Sequence, residues 1–353
     1  MGQLSVGLII LSMNKFYSKH FISEGWDETA AHSLTNNIDN KISDEDNELC
    51  ESNITLDELS KVVCNLKLNK APGEDGIISE FYRIYWEIIK HDFLDMVKEV
   101  ESENCLTESQ TKGVICLLYK QGDRDLVKNW RPITLLNVDY KIIAKCYAER
   151  LKQILPYIIH SDQKAFLKGR QICESVRLTH DLIDFTEKEG NGAAIVFLDQ
   201  EKAFDRIEWP YLQKCLESFG FGKNFQERLL MLYRCGKSCL VTNGFQSRHF
   251  KISRSLRQGC PVAAYLYILQ AEPFAISIRK SDKIQGIKLP SKVPNENVEV
   301  KISLFADDTQ MFHSSEKSID ESFLLLETYA RASGAKINLK KTKGLASNRN
   351  LEK

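Results

Sequence analysis

The chain has 353 residues, 43% of them apolar, and a formal net charge of zero. That length suits two or three packed subdomains, and that apolar content excludes a disordered tail. The charge is unevenly spread. Residues 1–100 carry 18 acids and 9 bases and the rest 30 acids and 39 bases, so an acidic leader precedes a basic body. This pattern is compatible with a polyanionic partner, and equally with a solvated surface.

The apolar run from Val6 to Met13 is too short to cross a bilayer, which needs about 20 residues. It also lacks a basic n-region, so neither a membrane anchor nor a signal peptide is expected. Residues 1–54 read as an acidic, partly flexible leader, with Asp39 to Asn53 as a loop. Thr55 and Glu58 form a capping box, and Leu56, Leu59, Val63 and Leu66 follow at helical spacing. Pro72 and Gly73 predict that this helix stops near Lys70. Phe81, Tyr82, Tyr85, Trp86 and Ile89 mark a second helix that packs into a core. Together these make residues 55–110 a helical extension ahead of a main domain over 111–353.

Val114–Tyr119 reads as a strand, Lys120–Asp123 as a turn, and 138–154 and 173–188 as helices. Residues 193–199, Ala-Ala-Ile-Val-Phe-Leu-Asp, form an apolar run ending in a carboxylate, the pattern of a buried strand. Helices are predicted over 209–219, 224–235 and 262–278. Asn243-Gly244 signals a hairpin between Cys239–Val241 and the segment around Phe250–Ile252. Val298, Val300, Ile302 and Leu304 alternate with polar residues and lead into Phe305-Ala306-Asp307-Asp308, predicting a strand, a tight turn and a return strand. A helix over 319–332 precedes Gly334 and a last strand near Lys336–Leu339. The mixed order, with antiparallel pairs rather than a βαβ series, predicts the α+β class.

The ten cysteines contain no C-x-x-C pair. His249 lies ten residues beyond Cys239, outside zinc-finger spacing, so the pattern predicts free thiols in a reducing compartment and no structural zinc.

Adjacent carboxylates at a hairpin tip repel each other, and a divalent cation removes that penalty. An isolated Asp-Asp more often forms a plain turn. Asp199, at the end of another buried strand, adds a third carboxylate. Phe204 stands five residues after it.

In this context Leu198-Asp199-Gln200-Glu201-Lys202-Ala203-Phe204-Asp205 resembles the first palm motif of reverse transcriptases, and Phe305-Ala306-Asp307-Asp308 resembles the other. Between them lies Arg257-Gln258-Gly259-Cys260-Pro261, and after them Gly334–Thr342. Upstream, Lys70–Gly76 and Asn129–Ile133 resemble fingers motifs. Six motifs in this order, over residues 55–345, resemble LINE-type (non-LTR) retrotransposon reverse transcriptases.

The resemblance implies a right-hand polymerase fold with fingers and palm. It implies RNA template, DNA primer and dNTPs as partners, and two Mg²⁺ ions (or Mn²⁺) as cofactor. Asp199, Asp307 and Asp308 would be the catalytic metal ligands, with Lys341 a candidate proton donor to pyrophosphate. Phe204 would exclude a 2′-OH, while Asp205 reads as structural. Lys120 and Arg131 would meet the triphosphate, though Lys120 also suits a solvated turn. Gln258 and Gly259 would contact nucleotide and template, Gly259 because the backbone can approach closely without a Cβ.

Ser255 stands where the family carries Gly, and Val262-Ala263-Ala264 where it carries Leu-Ser-Pro. The 45 residues after Asp308 are too few for a thumb, and no endonuclease, RNase H segment or zinc knuckle is recognisable. An inactive nucleic-acid-binding remnant is therefore the alternative. An RNA-dependent RNA polymerase is disfavoured by Ala306 and Phe204, and an unrelated two-metal nuclease would need none of the other motifs.

Overall fold

A computed structural model describes residues 2–190, 192–290 and 297–346. The elements run in chain order: α1 Gly2–His20, α2 Glu28–Thr35, α3 Asp44–Glu51, α4 Leu56–Cys64, α5 Ser79–Glu103, α6 Glu108–Thr111, β1 Lys112–Tyr119, β2 Trp130–Leu136, α7 Val138–Ile158 and α8 Ile172–Glu189. They continue with β3 Ala194–Leu198, α9 Trp209–Ser218, α10 Lys223–Met231, β4 Lys237–Thr242, β5 Phe245–Gln246, β6 Phe250–Lys251 and α11 Ala263–Lys280. The last are β7 Ile287–Pro290, β8 Asn297–Val300, β9 Ile302–Phe305, β10 Asp308–His313, α12 Glu316–Ser333 and β11 Lys343–Ala346. The mixture of helices with largely antiparallel sheets is α+β, as the sequence pattern predicts. No described helix is long and apolar enough to cross a membrane.

The chain divides into two compact units. The first comprises residues 1–24, 43–153 and 220–263. Its sheet runs β2-β1-β4-β5, with β6 also paired to β4. Asn243 and Gly244 both take positive φ, 51° and 80°, as a two-residue hairpin between β4 and β5 requires. Thr55 and Glu58 make the expected capping box. Glu58 also pairs with the buried Arg150 at 2.7 Å, whose other donors hold the Cys50, Ser52 and Asn53 carbonyls.

The second unit comprises residues 25–42, 154–219 and 264–353. Its sheet, β11-β3-β10-β9, is antiparallel throughout. Leu182 of α8 packs with Ala193, Ile195, Ile287 and Phe312 to close one face.

Six expectations need correction. The stretch Asp39–Asn53 is not a loop: it contains α3, N-capped by Ser43, whose side chain accepts from the Asp46 N–H. The leader as a whole carries three helices and contributes to both units. Helix α4 ends at Cys64 rather than near Lys70. Asn65 caps it, and Asn69 at φ 55° turns the chain away. On α5, Tyr82 and Trp86 are buried, but Phe81 and Tyr85 are exposed.

The alternating run through Leu304 is two strands, because Lys301 interrupts it. The Lys301 carbonyl accepts from the Phe312 N–H, and its ammonium reaches the Arg279 and Ser281 carbonyls. The last strand forms at Lys343–Ala346, not Lys336–Leu339. Residues 336–338 instead lie along the chain leaving β3 through isolated contacts, Glu201 N–H to Lys336 O and Asn338 N–H to Asp199 O.

Candidate active site

In the second unit the three carboxylates arise from one register. Leu198 of β3 pairs with Thr309 of β10, so the next step along β3 brings Asp199 level with Asp308. Asp308 in turn pairs with Phe305 of β9, leaving Ala306-Asp307 as the two-residue turn. All three carboxylates therefore lie at the same end of three adjoining strands. Directly opposite residues of an antiparallel pair share a face, which gives Asp199 and Asp308 a common side. Asp199 and Asp307 are half-buried and Asp308 is exposed.

The turn is held from outside. Ala306 is buried at φ 57°, a left-handed conformation that costs a residue with a Cβ roughly 1–2 kcal/mol. Its N–H donates to Gln163 Oε1 at 3.0 Å, and the same oxygen accepts from the Ala165 N–H. Backbone bonds flank this contact: Lys164 N–H to Leu304 O at 2.8 Å and Leu304 N–H to Asp162 O at 2.9 Å. A buried glutamine thus offsets the strain of the turn that carries Asp307. Spacing in the sequence gives no signal for it.

Beyond Asp199, a short 3₁₀ turn over Ala203–Asp205 presents Phe204. Its ring stacks on Tyr267 of α11, centroids 4.3 Å apart and planes at 20°, with Phe166 edge-on at 6.5 Å. Tyr267 is fully buried. Burial drives its phenol well above the ordinary range, and Tyr329, Asp307 and Asp308 push in the same direction. Tyr267 is therefore the backing for Phe204, and its hydroxyl donates to Gln200 Oε1, one residue beyond Asp199, at 3.4 Å. Within the apolar run of α11 it reads only as core. Asp205 is buried, in keeping with a structural role.

The Asp199 amide also approaches Thr342 Oγ1 at 3.4 Å. Lys341, exposed, occupies the turn in which its N–H and that of Thr342 both donate to Asn338 O. The segment carrying Lys341 is thereby tied to the backbone of Asp199.

The other expected residues belong to the first unit. Lys120 follows β1, its N–H bonded to Asn129 O at 3.0 Å, and Arg131 of β2 pairs with Leu118. Both are exposed, and period-two alternation puts them on one face of the ribbon. The Gln258 carbonyl accepts from the Thr134 N–H at 2.9 Å. Gly259 has φ 125°, and a Cβ there would lie 2.4 Å from the Thr134 carbonyl oxygen. The close approach that glycine permits is thus made by the chain's own β2. Arg257, buried, donates from Nη2 to the Thr111 carbonyl at 3.1 Å. Ser255, where glycine was expected by resemblance, is buried at φ 103° and so holds a glycine-like backbone.

Three carboxylates with partial solvent access are an all-oxygen donor set, which suits a hard divalent cation such as Mg²⁺. A site built for a softer ion would draw on thiolate or imidazole.

The profile of the family described as reverse transcriptase (RNA-dependent DNA polymerase) matches residues 118–351. The chain is 38% identical over 304 residues to the transposon TX1 uncharacterized 149 kDa protein of Xenopus laevis, covering 86% of this chain and 23% of that protein. It is 23% identical over 227 residues to the Pol polyprotein from the type-1 retrotransposable element R2 of Popillia japonica, covering 64% and 31%. It is 24% identical over 279 residues to the RNA-directed DNA polymerase from mobile element jockey of Drosophila funebris, covering 78% and 29%. The chain thus spans between 23% and 31% of the length of these relatives. With its motifs and its strand-end carboxylates, the chain belongs to the reverse transcriptase family, in the company of the LINE-type, non-LTR retrotransposon proteins.

Proposed function

We propose that this chain is the fingers and palm core of a right-hand polymerase that copies RNA into DNA. The observation carrying this reading is the β3–β10–β9 register, which aligns Asp199 with Asp308 and sets Asp307 in the adjoining turn. Asp199, Asp307 and Asp308 would hold two Mg²⁺ ions. When bound, such ions supply activation of a primer 3′ hydroxyl and stabilisation of the leaving pyrophosphate.

The residues themselves have separable roles. Phe204, backed by Tyr267, presents an apolar ring that would clash with a ribose 2′-OH and so favours dNTPs. Lys341, on a turn fixed to Asp199, would give a proton to pyrophosphate. Lys120 and Arg131 offer charge-assisted contacts to a triphosphate. Gln258 has its backbone fixed to Thr134, which leaves its side chain to meet nucleotide or template.

The test is extension of a DNA primer on an RNA template with dNTPs and Mg²⁺. Asp307→Asn is isosteric and keeps the turn, so it should lower extension about 10²–10³-fold, the scale on which charge stabilisation at a reacting centre is measured. If the unsubstituted chain extends primer no better than Asp307→Asn, the polymerase reading fails. Salt-sensitive binding to the primed template without extension would then leave the binding-only alternative.

A further inference from the structure

The strand pairing of β4 with β6 has a chemical result in the first unit. Lys237 pairs with Lys251 and Ser238 with Phe250. One step further brings His249 level with Cys239, although ten residues separate them in sequence. Glu74 arrives on a third segment, the Ala71–Gly76 loop. That loop is anchored: a Cβ on Gly73 would lie 2.0 Å from Asn137 Oδ1, and the Ile77 N–H donates to the Asp75 carboxylate at 3.0 Å. Glu74 is therefore delivered from a fixed backbone.

The Cys239 thiol, a His249 ring nitrogen and a Glu74 carboxylate oxygen all lie within 4.8 Å of one another. His249 Nε2 is 3.1 Å from Glu74 Oε1. The Gln246 amide spans the other two, 2.7 Å from Glu74 Oε1 and 3.1 Å from Cys239 Sγ. Cys239 is buried, whereas Glu74 and His249 keep 25% and 29% of their side-chain surface in solvent, which leaves an entry path.

We propose that Cys239, His249 and Glu74 form a binding site for a zinc-class divalent cation. One sulfur, one nitrogen and one oxygen donor match a borderline-soft ion, while Mg²⁺ and Ca²⁺ select oxygen alone. Three protein ligands leave the fourth tetrahedral position to water or to the Gln246 amide oxygen once that amide turns over. On binding, the Cys239 S–H bond breaks, its electron pair goes to the metal and its proton goes to solvent. His249 ligates as the neutral ring and Glu74 as carboxylate. Because ligation displaces the thiol proton, affinity should rise with pH. Occupancy would tie the Ala71–Gly76 loop to β4 and β6 within the first unit.

The experiment is titration of the full reduced chain with Co²⁺, then Zn²⁺, in a non-thiol reductant. One equivalent of Co²⁺ should produce a near-ultraviolet thiolate-to-metal charge-transfer band, displaced by Zn²⁺ and untouched by excess Mg²⁺. Cys239→Ser should abolish the band. His249→Asn and Glu74→Gln should weaken Co²⁺ affinity at least tenfold. Cys173→Ser, at an exposed thiol of the second unit, and Asp307→Asn should leave the band unchanged. No band, a band retained in Cys239→Ser, or unaltered affinity in His249→Asn overturns the proposal. Because His249 is on the surface, that last variant keeps the test decisive even if Cys239→Ser fails to fold.

Discussion

Replacing Gly259 with alanine tests how the Arg257–Pro261 loop is held. Two costs add. At φ 125° the backbone lies in a region that is essentially glycine's own, which costs another residue about 1–3 kcal/mol. The new Cβ would also stand 2.4 Å from the Thr134 carbonyl oxygen, well inside contact distance. Relief requires the loop to move off β2, which breaks the bond from Thr134 N–H to Gln258 O, about 1 kcal/mol net. The sum is a loss of about 2–4 kcal/mol. Urea unfolding followed by circular dichroism measures it. The control is Gly344→Ala on β11, where a Cβ meets nothing within 4 Å and the loss should stay under about 0.5 kcal/mol. If the two variants unfold alike, neither strain nor clash governs this loop. If Gly259→Ala is as destabilised as expected, template-dependent extension should fall with it, because Gln258 moves too.

His313 is fully buried, with no hydrogen-bond partner for either ring nitrogen among the described residues, and burial pulls its pKa down to about 4. Above pH 6.5 both folded and unfolded chains are neutral at this position. Between 6.5 and 4 only the unfolded chain takes up the proton, so stability falls with pH, by about 2 kcal/mol at pH 5. His313→Leu should remove that slope, and parallel pH profiles for the two proteins would count against it. Phe204→Ala should raise rNTP relative to dNTP incorporation about tenfold or more, the scale of a hydrophobic pocket's discrimination. An unchanged ratio in single-nucleotide extension would separate Phe204 from sugar selection.

Local signals in the sequence survived folding where one interaction dominated. The capping box at Thr55 and Glu58, the Asn243-Gly244 hairpin and the apolar run ending at Asp199 each encode their own geometry within a few residues. The strand-end placement of Asp199, Asp307 and Asp308 was legible because these carboxylates close such elements. What failed depended on distant partners. Lys336–Leu339 looks strand-like, yet β3 takes Lys343–Ala346 as its neighbour, a stretch with little alternation. Asp39–Asn53 has too few apolar residues to signal a helix, but Ser43 caps one, and its buried Cys50 faces the core. Gln163 and Tyr267 support the hairpin and the Phe204 ring from elements far along the chain. The nearness of His249 to Cys239 rests on a strand register, which linear spacing cannot report.

Helix α2 has an implication for how the protein is made. Its buried face, Ala30, Ala31 and Leu34, packs in the second unit with α9 and α12. Asp27, at its start, donates its N–H to the Arg331 carbonyl and offers its carboxylate to the same residue. About 300 residues of translation separate these partners. At 5–20 residues per second, the nascent chain waits on the order of 15–60 s with an apolar helix uncovered. The second unit can bury this face only once α12 has left the ribosome, so its closure waits on a segment made long after α2.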